Sequence, residues 1–211
     1  RINCLATREW VEASNRPHVA DRALSLAEYV TGKDGFERIP EVLHLVARSA
    51  PEVDAWVASR GPRPFALVQP FASRRDKEWA GAPLRGLARR LEKEGVDTVL
   101  RWGPGERARA EEMAEGSGGL LTLAPATAPD TTARLAKEAT LVVGADTGPT
   151  HLAAATGTPT VALYGPTDPA VFGPLGARTA VVRAGSYNEN GDGGLPISAE
   201  DVYEAARSLL G

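Results

Sequence analysis

Between residues 142 and 159 the chain reads VVGADTGPTHLAAATGTP, where an aspartate, a threonine, a glycine and a histidine crowd the junction of an apolar run and a small-residue helix. Pro149 falls where a first helical turn accepts a residue with no N–H. The free amides of such a turn, with the positive end of the helix dipole, make a seat for a phosphate. Gly148 lets an anion approach the backbone closely, Thr147 adds a hydroxyl, and Asp146 stands at the edge with His151 just inside the helix. A plainer alternative is equally open here: Asp146 caps the helix and His151 is a satisfied core histidine.

Two other stretches carry candidate chemistry. In QPFASRRDKEWAG, residues 69–81, Lys77 follows a strand end with Arg74 and Arg75, and all three could reach an anion held at the first site. An ammonium is a compact point charge suited to a diphosphate whose negative charge grows as it departs. A solvated basic loop is the commoner fate of such residues, and Trp79 reads as a packing anchor rather than a stacking platform. In RWGPGERARAEE, residues 101–112, Glu106 lies just inside a helix after a strand end, where a carboxylate could accept ribose hydroxyls. An acidic residue in a first helical turn is also favourable by itself.

These stretches must be positioned by a regular framework, and the pattern supplies one. From Phe65 onward FALVQPF, VDTVLRW, GLLTLA, TLVVGA, PTVALYG and TAVVRA read as strands. Helical runs separate them, among them APLRGLARRLEKEG with Gly95 as its stop and PDTTARLAKEA with Asp130 as expected N-cap. Such alternation predicts an α/β fold, a Rossmann-like parallel sheet with helices on both faces, and ligands in these sheets sit beyond the carboxyl ends of the strands. The closing SAEDVYEAARSLL begins with the capping pair Ser198 and Asp201, and Val202, Ala205, Ala206, Leu209 and Leu210 form its apolar stripe. Residues 185–196, GSYNENGDGGLP, are expected to be a mobile loop.

Upstream, HVADRALSLAEYVTG places Ala23, Leu26, Ala27 and Val30 at helical spacing and stops at Gly32, and four prolines (Pro40, Pro51, Pro62, Pro64) then punctuate a short extended piece and a short helix. Residues 1–36 are therefore read as the tail of an earlier domain, 37–64 as a connector, and 65–211 as a Rossmann-like domain. Because the chain opens at Arg1 without a methionine, it is expected to be part of a longer protein.

Composition narrows the classes. With 211 residues, 43% hydrophobic, 24% charged and a net charge of −3, nothing singles out nucleic acid as a partner. The single cysteine, Cys4, leaves no internal disulfide framework and fits a reducing cytoplasm, and no apolar run approaches membrane-spanning length. There is no G-x-G-x-x-G after a strand, no G-x-x-x-x-G-K-[ST], no G-x-S-x-G elbow, no D-x-D pair and no Cys/His cluster. A diphosphate handled here without metal must be neutralised by Lys, Arg and helix ends.

ADTGPTHLAAATGTPTVALYGPTDP resembles the signature of glycosyltransferase family 9, the lipopolysaccharide heptosyltransferases, with D-[ST]-G-x-x-H-L-x-A-A followed by a G-P-T-D-P-like turn. SRRDKEW is similar to that family's basic K-x-W loop, and RWGPGERARAEE to the W-G-x-x-x-E region of its heptosyltransferase I members; the likeness runs over roughly residues 18–211. The resemblance implies the C-terminal, donor-binding half of a GT-B architecture. It also implies inverting, metal-independent transfer of heptose from ADP-heptose to the lipopolysaccharide inner core, in the cytoplasm at the inner face of the inner membrane, with no resident cofactor.

Carried over by position, the resemblance gives Lys77 the donor diphosphate with Ser73 beside it. Asp146, Thr147 and Gly148 line the diphosphate and sugar, His151 supports their turn, Glu106 takes the ribose, and adenine rests near Ala126 and Thr127. Many members read H-P-G where this chain has Gln69, Pro70 and Phe71. The family's catalytic carboxylate and acceptor groove belong to an N-terminal domain that this sequence does not contain, so the 211 residues are expected to be inactive alone. Two other readings stay open: a relative using a different nucleotide sugar, and a nucleotide-binding module without catalysis.

Overall fold

The computed structural model describes residues 2–4, 9–11, 17–32, 50–185 and 194–211. β1 (Ile2–Cys4) and β2 (Glu9–Val11) form a small antiparallel pair. α1 (Val19–Thr31) stops as its spacing predicts, on Gly32 at φ 63°, a left-handed conformation that costs glycine little. The expected connector lies partly outside the described residues, which resume just before α2 (Pro51–Arg60).

Then follow β3 (Phe65–Gln69), a 3₁₀ turn (Arg75–Lys77), α3 (Ala82–Lys93), β4 (Asp97–Leu100), α4 (Arg107–Glu115), β5 (Leu121–Leu123) and α5 (Pro129–Glu138). The second half adds β6 (Leu141–Ala145), α6 (Gly148–Ala155), β7 (Thr160–Tyr164), α7 (Pro169–Phe172), β8 (Thr179–Arg183) and α8 (Ala199–Leu210). The six strands β3 to β8 make one sheet in the order β5-β4-β3-β6-β7-β8, and every neighbouring pair is parallel.

That order has a functional consequence. The chain winds outward from β3 to β5, returns to lay β6 beside β3, and winds the other way to β8. At such a reversal the connections leave on opposite faces and a crevice opens beyond the strand ends. Gln69 and Gly144 are paired across it, so the loops that follow β3 and β6 start side by side.

Side chains along the central strands alternate between two cores, as a period of two requires. Ala66, Val68, Leu141, Val143 and Leu163 meet Leu84, Leu87 and Leu91 of α3 and Val202 and Ala206 of α8. Phe65, Leu67, Val99 and Val142 meet Leu135 and Ala136 of α5, Ala153 of α6 and Val53 of α2. The connector helix α2 thus covers this sheet: Trp56 lies edge-on to Phe65 at 5.6 Å, and Arg134 of α5 pairs with Asp54 at 2.8 Å.

Two local expectations need correcting. Asp130 is not the N-cap of α5; the helix starts two residues earlier than that cap implies, at Pro129 with Ala128 as N-cap, because a fixed φ and a missing N–H suit proline to the first helical position. Leu210 is 37% exposed and leaves the stripe of α8 that Val202 and Ala206 bury. Ser198 does cap that helix, accepting the Asp201 amide at 3.0 Å. Of the expected mobile loop, residues 186–193 lie outside the described residues.

Candidate functional site

The segment after β3 is a closed excursion. Trp79 N–H returns to Pro70 O at 2.9 Å, and the buried indole donates from Nε1 to Ile197 O at 3.0 Å, the anchoring role expected of it. Within that loop the 3₁₀ turn is closed by Lys77 N–H on Arg74 O and Glu78 N–H on Arg75 O. The turn aims Lys77 across the crevice: Nζ donates to Asp146 Oδ2 at 3.2 Å and to Thr167 Oγ1 at 2.6 Å. Arg74 is engaged with Asp76 instead, Arg75 is exposed, and Ser73 lies exposed on the bend before the turn.

Asp146 follows β6 directly, its amide continuing the ladder to Leu163 O at 3.1 Å. It is not the helix cap of the plainer alternative; Thr147 holds the N-cap position, with φ −145° and ψ 159°. His151 is no core residue either, because its half-exposed ring meets Asp146 Oδ1 through Nε2 at 3.2 Å. Burial alone would raise the Asp146 pKa. Hydrogen bonds from His151, Thr167 and Lys77, with the Lys77 charge, overcome that and bring it down to about 2.

The first turn of α6 is built around small contacts. Thr150 Oγ1 donates to Ala145 O at 2.7 Å, and a Cβ on Gly144 would come within 2.4 Å of that hydroxyl, so glycine is needed for the helix to approach the strand. Beside Gly148 nothing lies within 4 Å of where a Cβ would stand, and its amide, at the first helical position, has no intrahelical acceptor, whereas the Thr150 amide already donates to Thr147 O at 3.0 Å. The Thr147 hydroxyl turns inward, to Ala145 O and to the Thr150 hydroxyl, each at 3.3 Å.

Three further groups, none of them a candidate on sequence grounds, belong to the site. Thr167, in the GPTDP turn after β7, is the second partner of Lys77. Tyr164 ends β7 fully buried, donates to Phe172 O at 2.8 Å, and has its phenol pushed well above the ordinary value by burial and by the Asp146 charge. His18 caps α1 by accepting the Ala20 amide on Nδ1 at 3.1 Å, and its Nε2 reaches Gly173 O at 3.0 Å; a carbonyl can only accept, so Nε2 carries the proton. The signal for Thr167 was its place after a strand end. A histidine N-cap leaves no such trace.

Together these elements enclose a cavity of about 590 Å³, with Lys77, Asp146, His151, Thr167 and His18 on its polar wall and Val19, Phe172 and Leu175 on the apolar one. Glu106 and Thr127 are not part of it. Glu106 is the N-cap of α4 rather than a residue inside it, and its Oε2 accepts the Gly103 amide at 2.6 Å. Thr127 accepts from Thr132 Oγ1 at 2.8 Å, and Ala126 beside it is exposed. Both stand beyond the next strand ends, β4 and β5, in a line leading away from the cavity. Among the described residues no cluster of His, Cys, Asp or Glu has the makings of a metal site, and no helix is long and apolar enough to cross a membrane.

Comparison with known proteins adds the following. The model of glycosyltransferase family 9 (heptosyltransferase) matches residues 2–193. Lipopolysaccharide heptosyltransferase 1 of Escherichia coli (strain K12) is 37% identical over 146 residues, 69% of this chain and 44% of the relative. Its namesake from Salmonella typhimurium is 39% identical over 114 residues, 54% of this chain and 36% of the relative. In each case the match takes in less than half the relative's length.

Among solved structures, E. coli ADP-heptose lps heptosyltransferase II superposes with a TM-score of 0.74 at 23% identity, covering 95% of this chain and 64% of that one, a likeness of fold. E. coli heptosyltransferase WaaC with ADP gives 0.72 at 26% identity, covering 94% and 58%. The sheet is accordingly of the GT-B type.

Proposed function

Because the chain belongs to glycosyltransferase family 9, we propose that it is the donor-binding part of an inverting transferase that moves heptose from ADP-heptose to the lipopolysaccharide inner core. The observation that carries this reading is the meeting of Lys77, Asp146 and Thr167 from three strand ends, beside the open first turn of α6. An ammonium has three donors. Asp146 and Thr167 take two of them, and the third is left for a phosphate oxygen of the donor. A relative solved with ADP supports the choice of nucleotide.

In this mechanism an acceptor hydroxyl displaces ADP directly at the anomeric carbon, deprotonated by a carboxylate outside these 211 residues. As the bond to the diphosphate breaks, negative charge collects on the leaving ADP. The Gly148 amide, the positive end of α6 and Lys77 stabilise it more strongly than they do the ground state, which is what accelerates the step. Asp146 fixes the ammonium and, through Oδ1, the His151 ring, so neither needs to reorganise during transfer. Glu106 receives the ribose and Thr127, with Ala126, the adenine edge, while Ser73 flanks the diphosphate. The site works with no resident cofactor or metal, and the acceptor is met in the cytoplasm at the membrane face.

The diphosphate seat does not itself read the base, so a relative specific for another nucleotide sugar is the competing reading. Titrating the chain with ADP, UDP and GDP by calorimetry separates them. The expected result is tightest binding of ADP, with no heptosyl transfer by the 211 residues alone. A preference for UDP or GDP would transfer the assignment to that donor class, and turnover by the isolated chain would place the general base within it.

A further inference from the structure

Arg101 has no role in the site described so far, yet it is unusually placed. It is the first residue after β4, its amide extends the sheet to Val68 O at 2.8 Å, and the whole residue is 8% exposed. Buried cations are normally paired with carboxylates, because desolvating a charge is costly. The hydrogen-bond partners of Arg101 are instead neutral: Nη1 donates to Gln69 Oε1 at 3.1 Å, and Nη2 stands 3.5 Å from Thr132 Oγ1. Its Nε has no partner. Burial draws its pKa down and the nearby Glu106 charge opposes this.

The arrangement links three loops at the carboxyl edge of the sheet. Gln69 ends β3. Thr132, in the first turn of α5, passes the connection to Thr127 through a 2.8 Å hydroxyl bond. On the third side, a Cβ on Gly103 would lie 3.1 Å from Glu106 Oε2 and 3.6 Å from Arg101 Nη1, so the carboxylate and the guanidinium border the same space beside Gly103, which a larger residue would fill. The Thr132 contact leads to Thr127 and the Gly103 side to Glu106, both assigned above to the nucleoside; the Gln69 contact ties the guanidinium to the end of β3, and none of its hydrogen bonds is made to Lys77 or to α6.

We propose that Arg101 is a positioning residue for the nucleoside half of the donor, one buried guanidinium holding the Glu106 and Thr127 loops at the spacing that a base and its ribose require. The inference rests on the nucleotide-sugar reading, and it separates two parts of the site: the diphosphate seat stands without Arg101, and the nucleoside subsite does not.

The test measures displacement of a fluorescent ADP analogue from the 211-residue chain by ADP and by inorganic pyrophosphate, in the wild type, Arg101→Met, Arg101→Lys and Thr132→Val. Arg101→Met is expected to weaken ADP by about tenfold, the scale of a hydrogen bond to a charged group, with pyrophosphate competing as before. Arg101→Lys recovers part of the loss. Thr132→Val, which cuts the path to Thr127 while keeping the buried charge, weakens ADP several-fold and spares pyrophosphate, and it carries the test if Arg101→Met does not fold. ADP and pyrophosphate weakening together, or neither changing, would overturn the proposal alone. A wild-type chain that binds no ADP would overturn the nucleotide reading beneath it.

Discussion

Replacing Lys77 by alanine is expected to weaken ADP binding by about 10- to 100-fold, and to slow transfer by the same order in an enzyme carrying this domain. The scale is that of a charge-assisted hydrogen bond, about 1.5 to 3 kcal/mol, read at roughly 1.4 kcal/mol per decade. The loss in turnover must persist at saturating donor, because the ammonium acts on charge that builds as ADP leaves, and a loss confined to KM would mean that it only binds. Alanine also leaves Asp146 without its main cation, so both rates are compared well below the melting transition. Lys77→Ala with an unchanged rate at saturating donor would remove Lys77 from the chemistry.

The second large effect concerns stability. Asp146 has a folded pKa of about 2 against an ordinary 3.8, and its side chain is 13% exposed, so the shift reports stabilisation that solvent screens little. A depressed carboxylate pKa stabilises the fold fully above the unfolded value, and the contribution is lost as pH falls through the folded one. Asp146→Asn should therefore cost roughly 2 kcal/mol at pH 7. The gap between the two proteins should hold down to about pH 4, near the ordinary carboxylate value, and close as the pH approaches 2. Denaturant unfolding of both proteins across that range measures it. Equal stabilities at pH 7, or a gap that widens in acid, would show that the Lys77, His151 and Thr167 contacts do not hold the carboxylate ionised.

Much of this architecture is legible in the residue pattern, for identifiable reasons. Alternating apolar runs and helical stripes specify a parallel sheet, because strands buried on both faces leave few other arrangements. That Lys77 and Asp146 each follow a strand end is legible in the same way; their pairing is not. What the pattern does not carry is strand order, and with it the fact that β3 and β6 are neighbours and that the site occupies the reversal between them.

Partner choice among polar groups is equally tertiary. Thr147 turns its hydroxyl inward, Glu106 turns back onto Gly103, and Thr167 arrives from the GPTDP turn, whose sequence does not say which side chain it will meet. Arg101 reads as one more surface arginine beside a Trp-Gly pair until its burial is seen. Asp130 misled for a local reason: two residues compete for one helix start, and proline's covalent restriction outweighs an aspartate's capping preference.

The central claim is that the first turn of α6 and the Lys77 ammonium together hold the pyrophosphate of an activated sugar. A crystal structure of the chain soaked with ADP tests it most directly. The account predicts both phosphates in the crevice between β3 and β6, one oxygen within hydrogen-bond distance of Lys77 Nζ and another on the Gly148 amide, with Asp146 still bonded to Lys77. ADP bound with its phosphates elsewhere, or a crevice left empty at saturating ADP, would contradict it.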